Sequence, residues 1–443
     1  MQEASGLTIE VPDYVSTWFE PGKLAKGYEG YGSDEPLVSL LSKTRDFGSV
    51  LSMKPEQPRT SFLTSLFILL TSALSVSCVT ESGGAQPYGG QPYIGQTIGG
   101  FHRPESVAFS LDGRTLFVGN CASDLFGPDR KLVGMVRGKG AVSKLTVGKN
   151  GHVSITDRRF IEGLNSPLGL GILPVATDRL PVGTLLVNQG ITLLVDSDGN
   201  PVTDAAQLET GVMFFDPETG EELGKIDLGV GSVVANRIGH ATLLPNSIAF
   251  DSEGNLYVTD TAKGGDRQIP AQVAHPGLIR IEHGAIDRLI GGVDAGLSST
   301  DVTFTPMAGV PNGVGYWPAE DAICVVTMGG DSPEGTAIYK IPADTFPRAD
   351  LPAPLRGDTG TADGVAFTPA GTILTSRFSG DLLAVPKHGE PFPLNIEALV
   401  APADHRLLTL ADGSSILAVP EQARVEPTHW DQRVRIVRLP KGF

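Results

Sequence analysis

The chain has 443 residues, of which 55 are Gly and 33 are Pro, and its formal net charge is −16. So acidic a balance excludes nucleic acid as the expected partner, because phosphate backbones select basic faces, and it favours solubility and the attraction of cations. Abundant turn residues with only 7% aromatics suit many short strands joined by tight turns, and β-rich repeat domains of this kind exceed 250 residues as single units.

The first long apolar stretch lies in residues 60–77, with Phe62–Leu70 as its most hydrophobic part. It is too short and too rich in hydroxyls for a membrane span, and its flanks fit a secretion signal. Met53 stands directly before Lys54, Lys54 and Arg59 supply the positive region, and small residues lead to Cys78. A lipoprotein-type cleavage site places Leu three residues before the Cys, whereas Leu74 is four before it. With translation starting at Met53, the expected division is an extension over 1–52 that is not native to the mature protein, a signal peptide over 53–78, a Gly/Pro-rich tether over 79–96 and a single domain over 97–443; the alternative is a cytosolic tail over 1–52 with the apolar run as an anchor. The expected location is therefore outside the cytoplasm: periplasmic, on the cell surface as a lipoprotein, or secreted. Contact with a membrane is expected only through a lipid anchor at Cys78.

From about residue 95 the sequence alternates short apolar runs with turn signals, and no helical periodicity is sustained. Four segments share one register: Pro104-Glu105-Ser106-Val107-Ala108-Phe109, Pro245-Asn246-Ser247-Ile248-Ala249-Phe250, Pro311-Asn312-Gly313-Val314-Gly315-Tyr316 and Ala362-Asp363-Gly364-Val365-Ala366-Phe367. Each puts an oxygen-bearing side chain just before an apolar run. Turns such as Asp251-Ser252-Glu253-Gly254 then lead to a second run, and often to a third. Two less regular units start near Pro167 and His405. Repeats of about four strands at this spacing are the signature of propeller blades. Six blades are expected, five if the weak second unit is discounted, with Tyr93–Ile98 supplying the outer strand of the last. Four long loops, 121–131, 189–210, 261–276 and 421–432, are expected to overhang one face as lids.

In a radial arrangement Glu105, Asn246, Asn312 and Asp363 meet at the mouth of the central channel. Two carboxylates about 4 Å apart repel by roughly 4 kcal/mol at an effective dielectric near 20. A proton, a basic group or a metal must offset that. Two carboxylates with two amide oxygens and no thiolate are hard ligands that match Ca²⁺. Zinc prefers His or Cys, and there is no Cys/His cluster to hold it. Cys121 and Cys324 read as small buried hydrophobes.

The segments Pro245–Thr261 and Ala362–Phe367 resemble the gluconolactonase/regucalcin/luciferin-regenerating family, with diisopropyl fluorophosphatase and paraoxonase close in plan. That resemblance implies an all-β, six-bladed β-propeller of the NHL-like kind. It further implies a calcium-dependent hydrolase of a lactone or related ester; the chain is expected to be a monomer. Glu105, Asn246, Asn312 and Asp363 match the family's ligand order position by position. His405 resembles a His near a second, structural calcium in some relatives, but Ala366 stands where the acidic partner is expected, which argues against a second metal. The implied mechanism uses the metal as Lewis acid and Asp363 as nucleophile or base, with His102 or His240 as proton shuttle. Arg377 and Arg267, in overhanging loops, are candidates for an anionic substrate group. Asp196-Ser197-Asp198-Gly199 opens like a calcium loop but lacks the rest of that motif and reads as a turn. The alternative is a non-catalytic NHL-like propeller that binds sugar or protein partners.

Overall fold

Each short apolar run becomes a strand, and the strands assemble into six four-stranded antiparallel sheets in a computed structural model. The structure describes residues 90–121, 124–126, 132–190, 194–200, 202, 209–262, 275–329, 336–346, 351–422 and 432–443, with backbone alone at 124–126 and 132–134. The extension, the signal-like segment with Cys78, most of the tether and Arg267 lie outside these residues.

Blade 1 contains β2 (Pro104–Phe109), β3 (Thr115–Asn120), β6 (Gly140–Val147) and β7 (Val153–Leu164). Its second and third strands are separated by β4 (Asp124–Phe126) and β5 (Leu132–Val136). Blade 2 contains β8 (Leu170–Ile172), β9 (Leu185–Gln189), β11 (Gly211–Phe215) and β12 (Glu222–Asp227), interrupted by β10 (Leu194–Val195). The short strands β4, β5 and β10 form a separate three-stranded sheet, so the first two overhanging loops are knitted together. Blade 3 is β13 (Pro245–Phe250), β14 (Leu256–Asp260), β15 (Gly277–Ile281) and β16 (Val302–Pro306). Blade 4 is β17 (Pro311–Trp317), β18 (Ala322–Thr327), β19 (Ala337–Pro342) and β20 (Arg356–Gly357). Blade 5 is β21 (Ala362–Phe367), β22 (Ile373–Arg377), β23 (Asp381–Val385) and β24 (Phe392–Pro393).

Blade 6 takes β25 (Arg406–Thr409), β26 (Ser415–Glu421) and β27 (Gln432–Leu439), and its outer strand is β1 (Tyr93–Phe101) from the other end of the domain. This pairing closes the ring without leaving a free sheet edge at the seam. The inner strands then pack in a circle: β2 on β8, β8 on β13, β13 on β17, β17 on β21, β21 on β25, and β25 back on β2. Apolar faces of adjacent blades form the core. Leu186, Phe214 and Ile226 meet Ile248, Val258 and Ile279 between blades 2 and 3. Val107, Leu116 and Val118 meet Ile416, Ala418 and Val434 across the seam.

Polar latches complete the circle near the axis. Asn188 Nδ2 donates to the Asn246 carbonyl at 2.9 Å, and Thr259 Oγ1 to the Asn312 carbonyl at 2.6 Å. Ser376 Oγ donates to the Ala403 carbonyl at 2.9 Å, and the Asp404 N–H to the Glu105 carbonyl at 2.9 Å. Each latch runs from one blade to its neighbour and fixes where that neighbour's inner strand begins. Asp260 anchors the approach to blade 3: its buried carboxylate accepts from the N–H groups of Leu243, Leu244 and Ala262 at 3.1, 2.9 and 2.9 Å.

Cys121 and Cys324 are both free and buried, in agreement with their reading as small apolar residues. Burial pushes the Cys324 thiol up to about 12. Among the described residues no helix is long and apolar enough to cross a membrane.

Thr259→Val tests the latches. The hydroxyl also accepts from the Ser247 N–H at 3.0 Å, so its removal strands one donor and one acceptor in a buried setting. The expected loss is about 1–3 kcal/mol, read as a melting temperature lowered by a few degrees in calorimetry; an unchanged melting curve counts against the latches.

Candidate functional site at the channel mouth

The four oxygen-bearing residues stand second in their motifs, and at that place each inner strand departs from regular pairing. Pro104 pairs with Asn120 and Ser106 with Gly119, which leaves Glu105 outside the ladder. The same irregularity falls between Pro245 and Ile248, between Pro311 and Val314, and between Ala362 and Val365. These are β-bulges, which bend a strand and re-aim a side chain. Here they free Glu105, Asn246, Asn312 and Asp363 from the sheet faces. The residue after each bulged side chain must be small where the next blade approaches. A Cβ on Gly169 would stand 2.0 Å from the Asn246 carbonyl oxygen, and one on Gly313 would stand 2.2 Å from that of Asp363. A Cβ on Gly364 would stand 2.6 Å from the His405 nitrogen.

The same spacing identifies the residue that blade 6 contributes. Asp404, rather than His405, lies beside Glu105: Ser106 and Asp404 form a parallel bridge. The ring at this level is therefore Glu105, Leu168, Asn246, Asn312, Asp363 and Asp404. His405 is turned outward between blades 5 and 6, with Nε2 against the Leu374 carbonyl at 3.2 Å. Burial, reinforced by Arg406, pushes its imidazole down to about 3, so the ring is neutral.

All of the polar members of the ring are at least 95% buried. Glu105 Oε2 accepts from the Gln422 side-chain amide. Asp404 uses both oxygens: Oδ2 accepts from Ser247 Oγ at 2.8 Å and Oδ1 from the Arg406 guanidinium. Asp363 differs, because neither of its oxygens has a hydrogen-bond partner. The side-chain oxygens of Asn246 and Asn312 are likewise buried without a partner. Burial first, then the charges of Glu105 and Asp404, hold the Asp363 carboxyl well above its ordinary range. Asn312 and Arg406 oppose this, Asn312 by proximity, without the geometry of a hydrogen bond. Burial also raises the Asp404 carboxyl, against the opposing pull of Arg406 and Ser247.

Four acceptor atoms thus lack donors in one desolvated ring. Unpaired buried acceptors are costly, and these would suit a hard cation that binds carboxylate and amide oxygens. Among the described residues no three His, Cys, Asp or Glu side chains gather in metal-ligating geometry. A cation here would draw on Asp363 and the two Asn oxygens, joined by Glu105.

The expected proton shuttles are placed differently. His102 is exposed just ahead of β2, with its N–H donated to Asn120 Oδ1 at 3.1 Å. His240 stacks on His275 at 4.5 Å between ring centroids and meets Phe304 edge-on at 4.5 Å. Phe304 belongs to β16, the outermost strand of blade 3, so His240 sits over the rim and not on the axis. Its imidazole is pushed down by burial, opposed by the Ala241 carbonyl and assisted by His275. Arg377 is held by Asp381, with Nε to Oδ1 at 2.8 Å, and does not stand free for a substrate anion. Asp196–Gly199 is a plain turn in which Asp196 Oδ1 accepts from the N–H groups of Asp198 and Asn200, each at 2.9 Å.

The sequence matches no family profile and no curated protein. Solved structures share the fold. A Dyadobacter fermentans protein of unknown function has a TM-score of 0.51 at 10% identity, covering 79% of this chain and 99% of its own. The PQQ-bound aldose sugar dehydrogenase of Streptomyces coelicolor has a TM-score of 0.49 at 15% identity, covering 80% and 100%. A gluconolactonase from Xanthomonas campestris has 0.39 at 14%, covering 78% and 98%.

Asp363→Asn should raise the melting temperature in chelator at pH 8. A carboxyl that is raised by folding contributes stability below its unfolded value, about 3.9, and loses it as pH rises through the folded value. The gain from the substitution should therefore shrink as pH falls towards 4. Differential scanning fluorimetry across pH reads this, and a variant less stable than the parent at pH 8 contradicts the account of Asp363.

Proposed function

We propose that the chain is a calcium-dependent hydrolase of a lactone or related ester, with its active site at the channel mouth. The observation that carries this reading is the set of buried, donor-less oxygens on Asn246, Asn312 and Asp363. The solved structures named above share only an architecture, so the reading rests on the residues.

Asn246, Asn312 and Asp363, with Glu105, would hold the ion. Carboxylate and amide oxygens without nitrogen or sulfur donors fit Ca²⁺ in preference to zinc. Bound there, the ion would supply a Lewis acid for a carbonyl oxygen. Asp363 is the residue placed for proton or nucleophile chemistry: neither of its oxygens has a hydrogen-bond partner, so one would be left to accept a proton from water while the other holds the ion. It could equally attack the carbonyl carbon itself, as carboxylate nucleophiles do. Glu105, tied to Gln422, orients one wall of the ring. Leu168, in the adjacent blade and 1% exposed, is the apolar member of the ring and suits the hydrocarbon part of a small substrate. The signal-like segment over 53–78 supports a single chain outside the cytoplasm, either periplasmic, secreted or held at the cell surface through a lipid anchor at Cys78.

Calcium should raise the melting temperature by mass action, by an amount that grows with concentration. Asp363→Asn and Asn312→Ala should each abolish that shift. Hydrolysis of a panel of γ- and δ-lactones should be lost in chelator and lost in Asp363→Asn. A chelated protein that melts unchanged and still hydrolyses would overturn the proposal. A calcium shift without hydrolysis of any lactone or ester would favour the binding propeller.

A further inference from the structure

We propose that Arg406 is a built-in cation that spans the channel, closes it beneath the mouth and reserves Asp404, so that Asp363 alone presents an unengaged carboxylate to the mouth. Blades 3 and 6 are opposite in the ring of six, and the bonds of Arg406 cross between them. Its Nη1 donates to Asp404 Oδ1 and to the His405 carbonyl at 3.0 Å, all within blade 6. Its Nη2 reaches Ser247 Oγ at 3.3 Å and the Ile248 carbonyl at 3.1 Å, both in blade 3. Ser247 Oγ in turn donates to Asp404 Oδ2 at 2.8 Å, which completes a closed set of three side chains across the axis.

This divides two neighbouring buried carboxylates into different states. Asp404 has both oxygens satisfied and its charge balanced by a permanent guanidinium, while Asp363 has neither oxygen satisfied. His405 cannot act as the balancing charge, since burial keeps it neutral. A planar guanidinium is the suitable group for this position, because it can meet a carboxylate, a hydroxyl and two carbonyls at once. Arg406 therefore acts through Asp404 and the channel floor as a positioning residue. The assignment holds whichever cation the mouth takes.

The test compares melting temperatures in chelator and in millimolar calcium for wild type, Arg406→Met, Arg406→Lys and Asp404→Asn/Arg406→Met. Removal of one partner from a buried pair is strongly destabilising, so Arg406→Met should melt at least about 5 °C lower in chelator. With Asp404 released, calcium should restore stability, and the calcium shift of Arg406→Met should exceed that of wild type. Arg406→Lys keeps the charge and should show no extra shift. The double variant removes both charges; it should recover most of the loss in chelator and lose the extra shift. The proposal fails if Arg406→Met melts in chelator with the wild type, if its calcium shift is no larger, or if the extra shift persists in the double variant. Should Arg406→Met not fold, the comparison passes to Asp404→Asn against the double variant: the double must be at least as stable, and a less stable double overturns the proposal. A wild type without any calcium shift would remove the ion proposed for the mouth while leaving the gain in Arg406→Met as an independent reading.

Discussion

The site depends on how closely the inner strands approach one another around the axis. At Gly169 and Gly313 the space a Cβ would need is already taken by the carbonyl oxygen of the next blade. Strands this close cannot continue a regular ladder to their first residue, and four of them bulge there. The bulge turns the preceding side chain off the sheet face, and the only remaining direction is the channel. Hydrogen bonds such as Thr259 to the Asn312 carbonyl then lock each strand start against its neighbour. Convergence of Glu105, Asn246, Asn312 and Asp363 is thus a steric consequence of ring closure, with hydrogen bonds holding the result.

That convergence creates an electrostatic problem, which the ring solves differently at each carboxylate. Glu105 is met by the amide of Gln422. Asp404 is met by Arg406 and Ser247. Asp363 is met by nothing with hydrogen-bond geometry, and its charge is disfavoured by burial and by both other carboxylates. An unsatisfied buried acceptor costs about 1–3 kcal/mol, more when charged, so the folded state carries a local penalty at one point of an otherwise satisfied ring.

Much of this was legible in the sequence, because a propeller repeats its spelling. The shared Pro/Ala–Glu/Asn/Asp–small–apolar pattern gave the strand starts, their register and the blade count, and the run at Tyr93–Ile98 gave the closing strand. The sixth unit differs by one residue from the expected register, with Asp404 in place of His405. Ala403-Asp404-His405 has neither the Pro nor the Gly of which every other unit carries at least one, and the imidazole of His405 stands where a small residue does elsewhere, so the pattern does not single out Asp404. The bulges coincide with the oxygen-bearing and small residues of that pattern, but a residue type alone does not say that a strand is irregular there. The tie from Arg406 to Ser247 joins residues 159 apart and depends on which blades face each other, which only ring closure decides. The place of His240 in the chain, just before β13, does not give its place in space, because the segment first crosses the outer strand of blade 3. The pairing of Arg377 with Asp381 was within reach, as the two flank a tight hairpin between β22 and β23.

The contrast between Asp404 and Asp363 bears on what the channel is for. Both are buried, both are raised by burial, and they stand in adjacent blades of one ring. A fold that needed only to fill its channel could treat both alike, with a second basic side chain or an amide in place of Asp363. Instead one negative charge is balanced permanently by a side chain, and the other is left beside two amide oxygens that also lack donors. A permanent partner gives stability that no solute can modulate. An unengaged set of oxygens gives a stability deficit that a hard divalent ion can relieve, and the relief then varies with its concentration. Within one ring, then, Asp404 is tied to a fixed cation, while the oxygens of Asp363, Asn246 and Asn312 are left without donors.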